Sequence, residues 1–390
     1  MARARIRPGN PDRLLYWLVI LLMSLGVVAV FNATYARSTS QGQYHYLILQ
    51  TCWAAIAFGA LHAGMRLPFP LWRRLWLWAP LAGIALLGLT MAIGPEINGA
   101  KRWLQLGPVT IQPSELAKLA TVVFIAGYSA LMRSHIQQFW KGFLPVTLVL
   151  GLLAALVAAE DLGTAISLVI TGLLMLFVAG ARFSHLCGLT GLGAGAVFWL
   201  VWIVHWRKER IDAWLDPLAH YETTGYQVWQ GLLTLGSGQL TGRGFTQGVG
   251  KHFYLPAAHN DYIFATIGEE FGLVGALVIL GLFMALVTRG LMVAHRSRDW
   301  FGGLLALGVV GGVGIQALLN IAVVTASLPA TGLPLPFISY GGSSLVVTAF
   351  SLGIVLNVSA YAAAAAEEER NVREASVDRW GHRRAHLSRS

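Results

Sequence analysis

The chain has 390 residues, of which 56% are apolar and 12% charged, with a formal net charge of +10 at pH 7. A soluble globule of this composition would leave far too much hydrocarbon in water, so lipid is the expected solvent for most of the chain. The basic excess would raise nucleic acid as a partner in a soluble protein, but the cations sit in short connections between apolar runs, which points to membrane orientation and argues against nucleic acid.

The 14 Trp and 44 Gly suit membrane interfaces and close helix approach. Cys52 and Cys187 lie in apolar runs without CxxC spacing, so neither a disulfide framework nor a zinc site is indicated. The basic stretch Met1–Arg13 precedes an apolar run with no small-residue cleavage site near Ser24–Asn32, and that run is read as a retained helix.

Crossing the hydrocarbon core as a helix takes about 20 apolar residues. Runs of that kind fall at 14–33, 45–64, 75–93, 115–132, 143–159, 162–180, 184–205, 262–288, 300–326 and 340–361. The expected fold class is all-α: a polytopic membrane protein with about ten transmembrane helices over 14–361. Only Glu160-Asp161 separates the fifth and sixth runs. A cytoplasmic N-terminal segment, 1–13, puts Arg3, Arg5, Arg7, Arg13, Arg66, Arg73, Arg74, Arg133, Lys141, Arg182, Arg289, Arg296, Arg298 and the arginine-rich tail inside, as the positive-inside rule favours. Both termini are then cytoplasmic, and the other face receives Arg37, Lys101, Arg102 and the 206–261 segment. That segment is expected to be a large extracytoplasmic loop between helices seven and eight. The polar tail, 362–390, is expected to be disordered.

Four stretches carry candidate chemistry. The strongest runs Leu255-Pro256-Ala257-Ala258-His259-Asn260-Asp261-Tyr262, followed by Gly268-Glu269-Glu270-Phe271-Gly272. Asp261 stands where a loop enters a helix; it is either a functional carboxylate or an N-cap, a role for which Asp is well suited. Glu269 and Glu270 lie about two turns deeper, where ionisable groups are costly without a purpose. The second stretch holds Lys101-Arg102-Trp103 and Gln112-Pro113-Ser114-Glu115-Leu116-Ala117-Lys118. Glu115 and Lys118 share a helix face, so they form a structural ion pair, or Lys118 joins Arg102 in binding an anionic headgroup such as pyrophosphate. The third, Glu160-Asp161-Leu162-Gly163-Thr164, is a carboxylate pair at a turn, with a cap as the plain alternative. The fourth, Pro329 to Ser344, is a Pro-rich then Gly/Ser-rich entry to the last span; irregular backbone there either lines a cavity or is buried in protein. His45, His62, His135, His185 and His205 have no partners at ligand spacing and read as ordinary interface or core residues.

At these four places the chain resembles the SEDS family, whose members include RodA and FtsW. The loop-helix stretch resembles PEAHTDFIFA…GEE, NGAKRWL and QPSELAK resemble GAxRW and QPSE-x-xK, EDLGT resembles QPDxGT, and TGLPLPFISYGGSS is nearly the family pattern itself. Gly225-Tyr226-Gln227, Gly236-Ser237-Gly238 and Thr241-Gly242-Arg243-Gly244 resemble further family elements. Ala257, Asn260, Glu160 and Gln239 depart from the pattern; with Ala257 in place of a Glu, a catalytic carboxylate there is not expected.

The resemblance implies a SEDS-type fold and a peptidoglycan glycosyltransferase that polymerises lipid II into glycan strands at the outer face of the bacterial cytoplasmic membrane, in elongation or division. It implies an inverting attack by the acceptor 4-hydroxyl that releases undecaprenyl pyrophosphate, with Asp261 as base. Substrate-binding candidates are Arg102, Lys118, Glu115, Asp161, His259, Ser339, Ser343, Arg243 and Lys251. A divalent cation, Mg or Mn, is expected on Asp261, Glu269 or Asp161. Implied partners are a class B penicillin-binding protein acting as transpeptidase and other elongasome or divisome membrane proteins. The rival readings are a flippase of lipid-linked precursor, for which intramembrane charge and broken helices are also expected, and a non-catalytic scaffold of the cell-wall complex.

Overall fold

A computed structural model describes residues 9–35, 44–96, 99–107, 109–203, 205–223, 225–252, 255–256 and 258–387. Arg3, Arg5, Arg7, Arg37, Asn98, Tyr254 and Ala257 lie outside the described residues. The long helices are α1 (Arg13–Thr34), α2 (His45–Arg66), α5 (Pro113–Leu131), α6 (Leu144–Glu160), α7 (Leu162–Ala179), α8 (Phe183–Ile203), α11 (Ile263–Arg296), α12 (Trp300–Val324) and α13 (Gly342–Leu387). A π-helical turn, Phe139–Phe143, leads into α6. Among the described residues these nine helices are long and apolar enough to cross a membrane, and the apolar helix α4 (Trp78–Ile93) adds a shorter tenth. The expectation of about ten spans is met, and the chain is a multi-pass membrane protein. The expected third span, 75–93, is α4, which starts three residues later, after the short basic helix α3 (Pro70–Leu75).

Helix ends follow local chemistry. The Asp12 carboxylate accepts from the Leu15 N–H at 3.0 Å, capping α1. The same carboxylate accepts from Arg289 Nε of α11 at 3.0 and 2.9 Å. Asp161, the single residue between α6 and α7, takes extended backbone angles and caps α7. α7 stops at Gly180, where φ is +95° and a side chain would be strained.

α2 lies closely along α13. A Cβ on Gly353 would meet the Leu61 carbonyl oxygen at 2.2 Å, and one on Gly64 would meet that of Phe350 at 2.3 Å, so the two backbones touch through glycine. α8 is the opposite case: only Leu186 and Val201 are buried, and Phe198, Trp199 and Trp202 face outward, as lipid-exposed side chains do.

Three regions differ from expectation. The 94–112 connection carries a small antiparallel hairpin, β1 (Leu104–Leu106) with β2 (Val109–Ile111), pairing Leu104 with Ile111. Its short alternating sequence and Gly107 at φ +64° explain it. The 206–261 segment is not a plain loop, since it contains α9 (His205–Leu215) and α10 (Gly225–Ser237). The 362–390 tail, expected without regular structure, continues α13 to Leu387, helped by the helix-forming run Ala362–Ala366 and Glu367–Glu369.

Candidate functional site

Gly272 breaks α11 with φ 65° and ψ −163°, and the chain from Ser237 to Lys251 packs into that break. The Leu273 and Val274 N–H groups donate to Gln239 and Leu240 carbonyls at 2.9 and 3.2 Å, while the Arg243 and Gly244 N–H groups donate to Glu269 and Glu270 carbonyls at 3.0 Å. The polar groups released by the break are thereby satisfied inside the protein, as a membrane interior requires. The Glu269 carboxylate accepts from the N–H groups of Val249 at 2.8 Å and Gly250 at 3.1 Å. The Glu270 carboxylate accepts from Lys251 Nζ at 2.7 Å, from Thr246 N at 3.1 Å and from Asn32 of α1. Lys251 also donates to Asn32 Oδ1 at 2.9 Å.

These contacts correct part of the expected site. Lys251 is fully buried, with its ammonium held by Glu270 and Asn32, so it is a structural cation and not a pyrophosphate ligand. Glu269 is buried in a nest of N–H donors, an environment for an anion and not for a metal ligand. Arg243 lies 3.9 Å from Glu269 and remains partly exposed.

Asp261 lies in the chain just before α11. The helix begins at Ile263 with Tyr262 in the cap position and no side-chain cap bond, so capping does not account for Asp261. Its backbone is fixed from α12: Asn320 Nδ2 donates to the carbonyls of Asp261 and Leu333, each at 2.7 Å. Ser339 adds a second tie, donating to the Asn260 carbonyl at 2.6 Å and accepting from the Leu335 N–H at 2.8 Å. His259 packs between the rings of Tyr46 and Tyr340, with centroids 5.4 and 5.8 Å away, and its carbonyl accepts from the Tyr340 N–H. Ser343 is buried at the start of α13, and its hydroxyl has no hydrogen-bond partner among the described residues.

Burial pushes the Asp261 carboxyl up from 3.8 to about 6, against the lowering effects of its own backbone N–H and of Arg210. Burial, then the Asp261 charge, also raises the Tyr262 phenol, whose ring lies where Gly231 of α10 leaves no Cβ in the way.

The cations divide into two groups. Arg102 donates through Nε to the Glu160 carbonyl at 2.7 Å, and it lines a pocket with Thr90, Ser114, Glu160 and Asp161. Asp161 accepts from Thr164 N at 3.1 Å and Thr164 Oγ1 at 2.8 Å, so the cap reading holds there, at the edge of the same pocket. Lys118 pairs with Glu115 at 2.9 Å and donates to Gln316 Oε1 at 2.7 Å, while Gln316 Nε2 donates to the Pro334 carbonyl at 2.9 Å. These groups border a mostly apolar cavity among α5, α7, α12 and α13. Gln316 and Asn320, one turn apart on α12, thus tie Lys118 and Asp261 to adjacent carbonyls of the 333–334 segment.

Sequence reading missed Gln316, Asn320, Asn32 and Arg210. Amides inside apolar runs were the available signal for the first three; nothing in Trp206-Arg207-Lys208-Glu209-Arg210 marks one cation over its neighbours. Among the described residues no three His, Cys, Asp or Glu side chains converge to hold a metal, and the Glu269 and Asp161 carboxylates are held by N–H and hydroxyl donors.

A family model described as a cell cycle protein, FtsW/RodA/SpoVE, matches residues 12–364. The probable peptidoglycan glycosyltransferase FtsW of Geobacter metallireducens is 40% identical over 354 residues, covering 88% of this chain and 94% of that protein. Stage V sporulation protein E of Bacillus subtilis is 35% identical over 360 residues, covering 90% and 98%. Among solved structures, a chain from a peptidoglycan synthase complex that coordinates polymerization and crosslinking superposes with a TM-score of 0.75 at 30% identity, covering 90% of this chain and 97% of that one. The rod shape determining protein RodA of Thermus thermophilus gives 0.66 at 28% identity, covering 90% and 96%. The motif resemblance is borne out across the whole membrane domain, and the chain belongs to the FtsW/RodA/SpoVE family of cell cycle proteins.

Proposed function

We propose that this protein is a peptidoglycan glycosyltransferase that polymerises lipid II at the outer face of the cytoplasmic membrane. The observation that carries the reading is Asp261: a carboxyl raised to about 6, not used as a cap, and fixed by Asn320 and Ser339 through its surrounding backbone. Such a group is mostly ionised at neutral pH yet basic enough to accept the proton of a sugar hydroxyl. The acceptor 4-hydroxyl attacks the anomeric carbon of the growing chain, its proton passes to Asp261, and the bond to the pyrophosphate oxygen breaks with inversion. Arg102, partly buried and beside Asp161, is suited to the departing charge. Lys118 supports the 333–334 segment through Gln316 and borders a cavity whose apolar walls suit a prenyl chain.

In this reading both termini are cytoplasmic and α9, α10 and Asp261 lie outside, as the arginine distribution favours. The partner is a class B penicillin-binding protein, a reading supported by the likeness to a chain of a synthase complex. Purified protein given labelled lipid II in detergent tests the activity. Glycan polymer is the expected result. Translocation in sealed vesicles without polymer would make it a flippase, and neither result would leave a scaffold.

A further inference from the structure

α9 is docked onto the segment after α12 by two side chains: Trp214 Nε1 donates to the Ala326 carbonyl at 2.7 Å, and Arg210 Nη1 lies 3.3 Å from the Ala330 carbonyl. The next residue, Thr331, presses on the start of α7, where a Cβ on Gly163 would meet its carbonyl oxygen at 2.8 Å. Gly163 follows Asp161 and Glu160, and the carbonyl of Glu160 accepts from Arg102 Nε. Two residues beyond Thr331, the Leu333 carbonyl shares its Asn320 donor with Asp261. The 330–333 segment therefore touches, directly or through Gly163 and Asn320, the elements that carry Arg210, Arg102, Asp161 and Asp261.

We propose that Arg210 is a substrate-binding residue which, with Arg102, forms a two-guanidinium seat for the pyrophosphate of a polyprenyl-linked sugar. The inference rests on the polymerase reading for the identity of that ligand. Two guanidiniums placed together repel, and burial followed by the Arg102 charge lowers the Arg210 pKa, with Asp261 and Asp161 acting in the opposite direction. An anion bearing two phosphates relieves that repulsion, and the planar forks of two arginines match its oxygens better than ammonium groups do. Arg210 also stands near enough to Asp261 to influence its charge, which puts leaving-group and base sites side by side.

The test is binding of undecaprenyl pyrophosphate and undecaprenyl monophosphate to purified wild type, Arg210→Gln, Arg210→Lys and Trp214→Phe, together with lipid II kinetics. Gln removes the charge but ends two bonds short of Ala330, so Trp214→Phe, which loses the other docking bond and keeps the charge, separates docking of α9 from anion binding. Arg210→Gln is expected to weaken the pyrophosphate about 10- to 100-fold, and the monophosphate less. Arg210→Lys should fall between, and Trp214→Phe should lower the melting temperature without changing pyrophosphate affinity. Pyrophosphate affinity in a folded Arg210→Gln variant within twofold of wild type overturns the proposal, as does a wild type that does not bind the ligand. A wild type that binds pyrophosphate through Arg210 but makes no polymer would instead defeat the polymerase reading alone.

Discussion

Around Glu269 and Glu270 each of the four carboxylate oxygens meets a donor: N–H groups of Thr246, Gly248, Val249 and Gly250, the Asn32 amide or the Lys251 ammonium. Around Asp261 the support is indirect. Asn320 and Ser339 hold the backbone, and the carboxylate turns back on its own N–H within reach of the Arg210 charge. A saturated carboxylate holds chain in place, because any change of protonation would break several bonds at once. A carboxylate whose backbone is fixed but whose oxygens are less engaged can exchange a proton without loss of structure. Acidic residues ten positions or fewer apart in the sequence therefore serve opposite ends, and neighbouring groups decide which.

The largest effect should come from breaking the saturated centre. Lys251→Met leaves Glu270 buried without its cation, which should cost about 3–5 kcal/mol. Detergent melting curves should show a strongly destabilised protein, and adding Glu270→Gln should recover much of the loss. A single variant as stable as wild type would deny the ion pair its structural role.

Asp261→Asn should reduce polymer formation by about 10²-fold or more, as expected for a missing general base. The sign for stability is opposite. The folded pKa, about 6, lies above 3.8, so any stabilisation from this group is complete at low pH and is lost as pH rises through about 6. At pH 7.5 the neutral Asn variant should melt at or above wild type. Wild-type polymerisation should rise with pH through about 6 and then level off. An unchanged rate for Asn, measured with purified lipid II, would return Asp261 to a purely structural role.

A smaller change is expected at the break in α11. Gly272→Ala puts a Cβ 2.4 Å from the Leu240 carbonyl oxygen at a backbone conformation suited to glycine, for a cost of about 1–3 kcal/mol. The melting temperature should fall and proteolysis between Gly238 and Lys251 should quicken. The smallest effect belongs to the exposed Arg73–Asp299 pair, with side chains 45% and 34% exposed. Arg73→Ala should change stability by about 1 kcal/mol or less, and less still at high salt.

What the sequence determined by itself is the class of molecule and the position of nearly every crossing, because hydrophobicity and span length are local quantities that lipid reads directly. It also determined family membership, through ordered blocks such as the stretch from Leu255 to Gly272 and that from Thr331 to Ser344. The division of labour inside those blocks was decided by tertiary structure. Lys251 and Arg102 look equally available in sequence, yet one is enclosed by α1 and α11 and the other reaches a pocket edge. Glu269 and Asp261 both looked like metal ligands, until the 237–251 chain, folding back into the break at Gly272, filled one with N–H donors. Arg210 was indistinguishable from the charges around it until Ala330 and Gly163 placed its surroundings. The physical reason is common to all three: the state of a buried charge depends on dielectric and donors within a few ångströms, and here those neighbours come from residues up to 219 positions away.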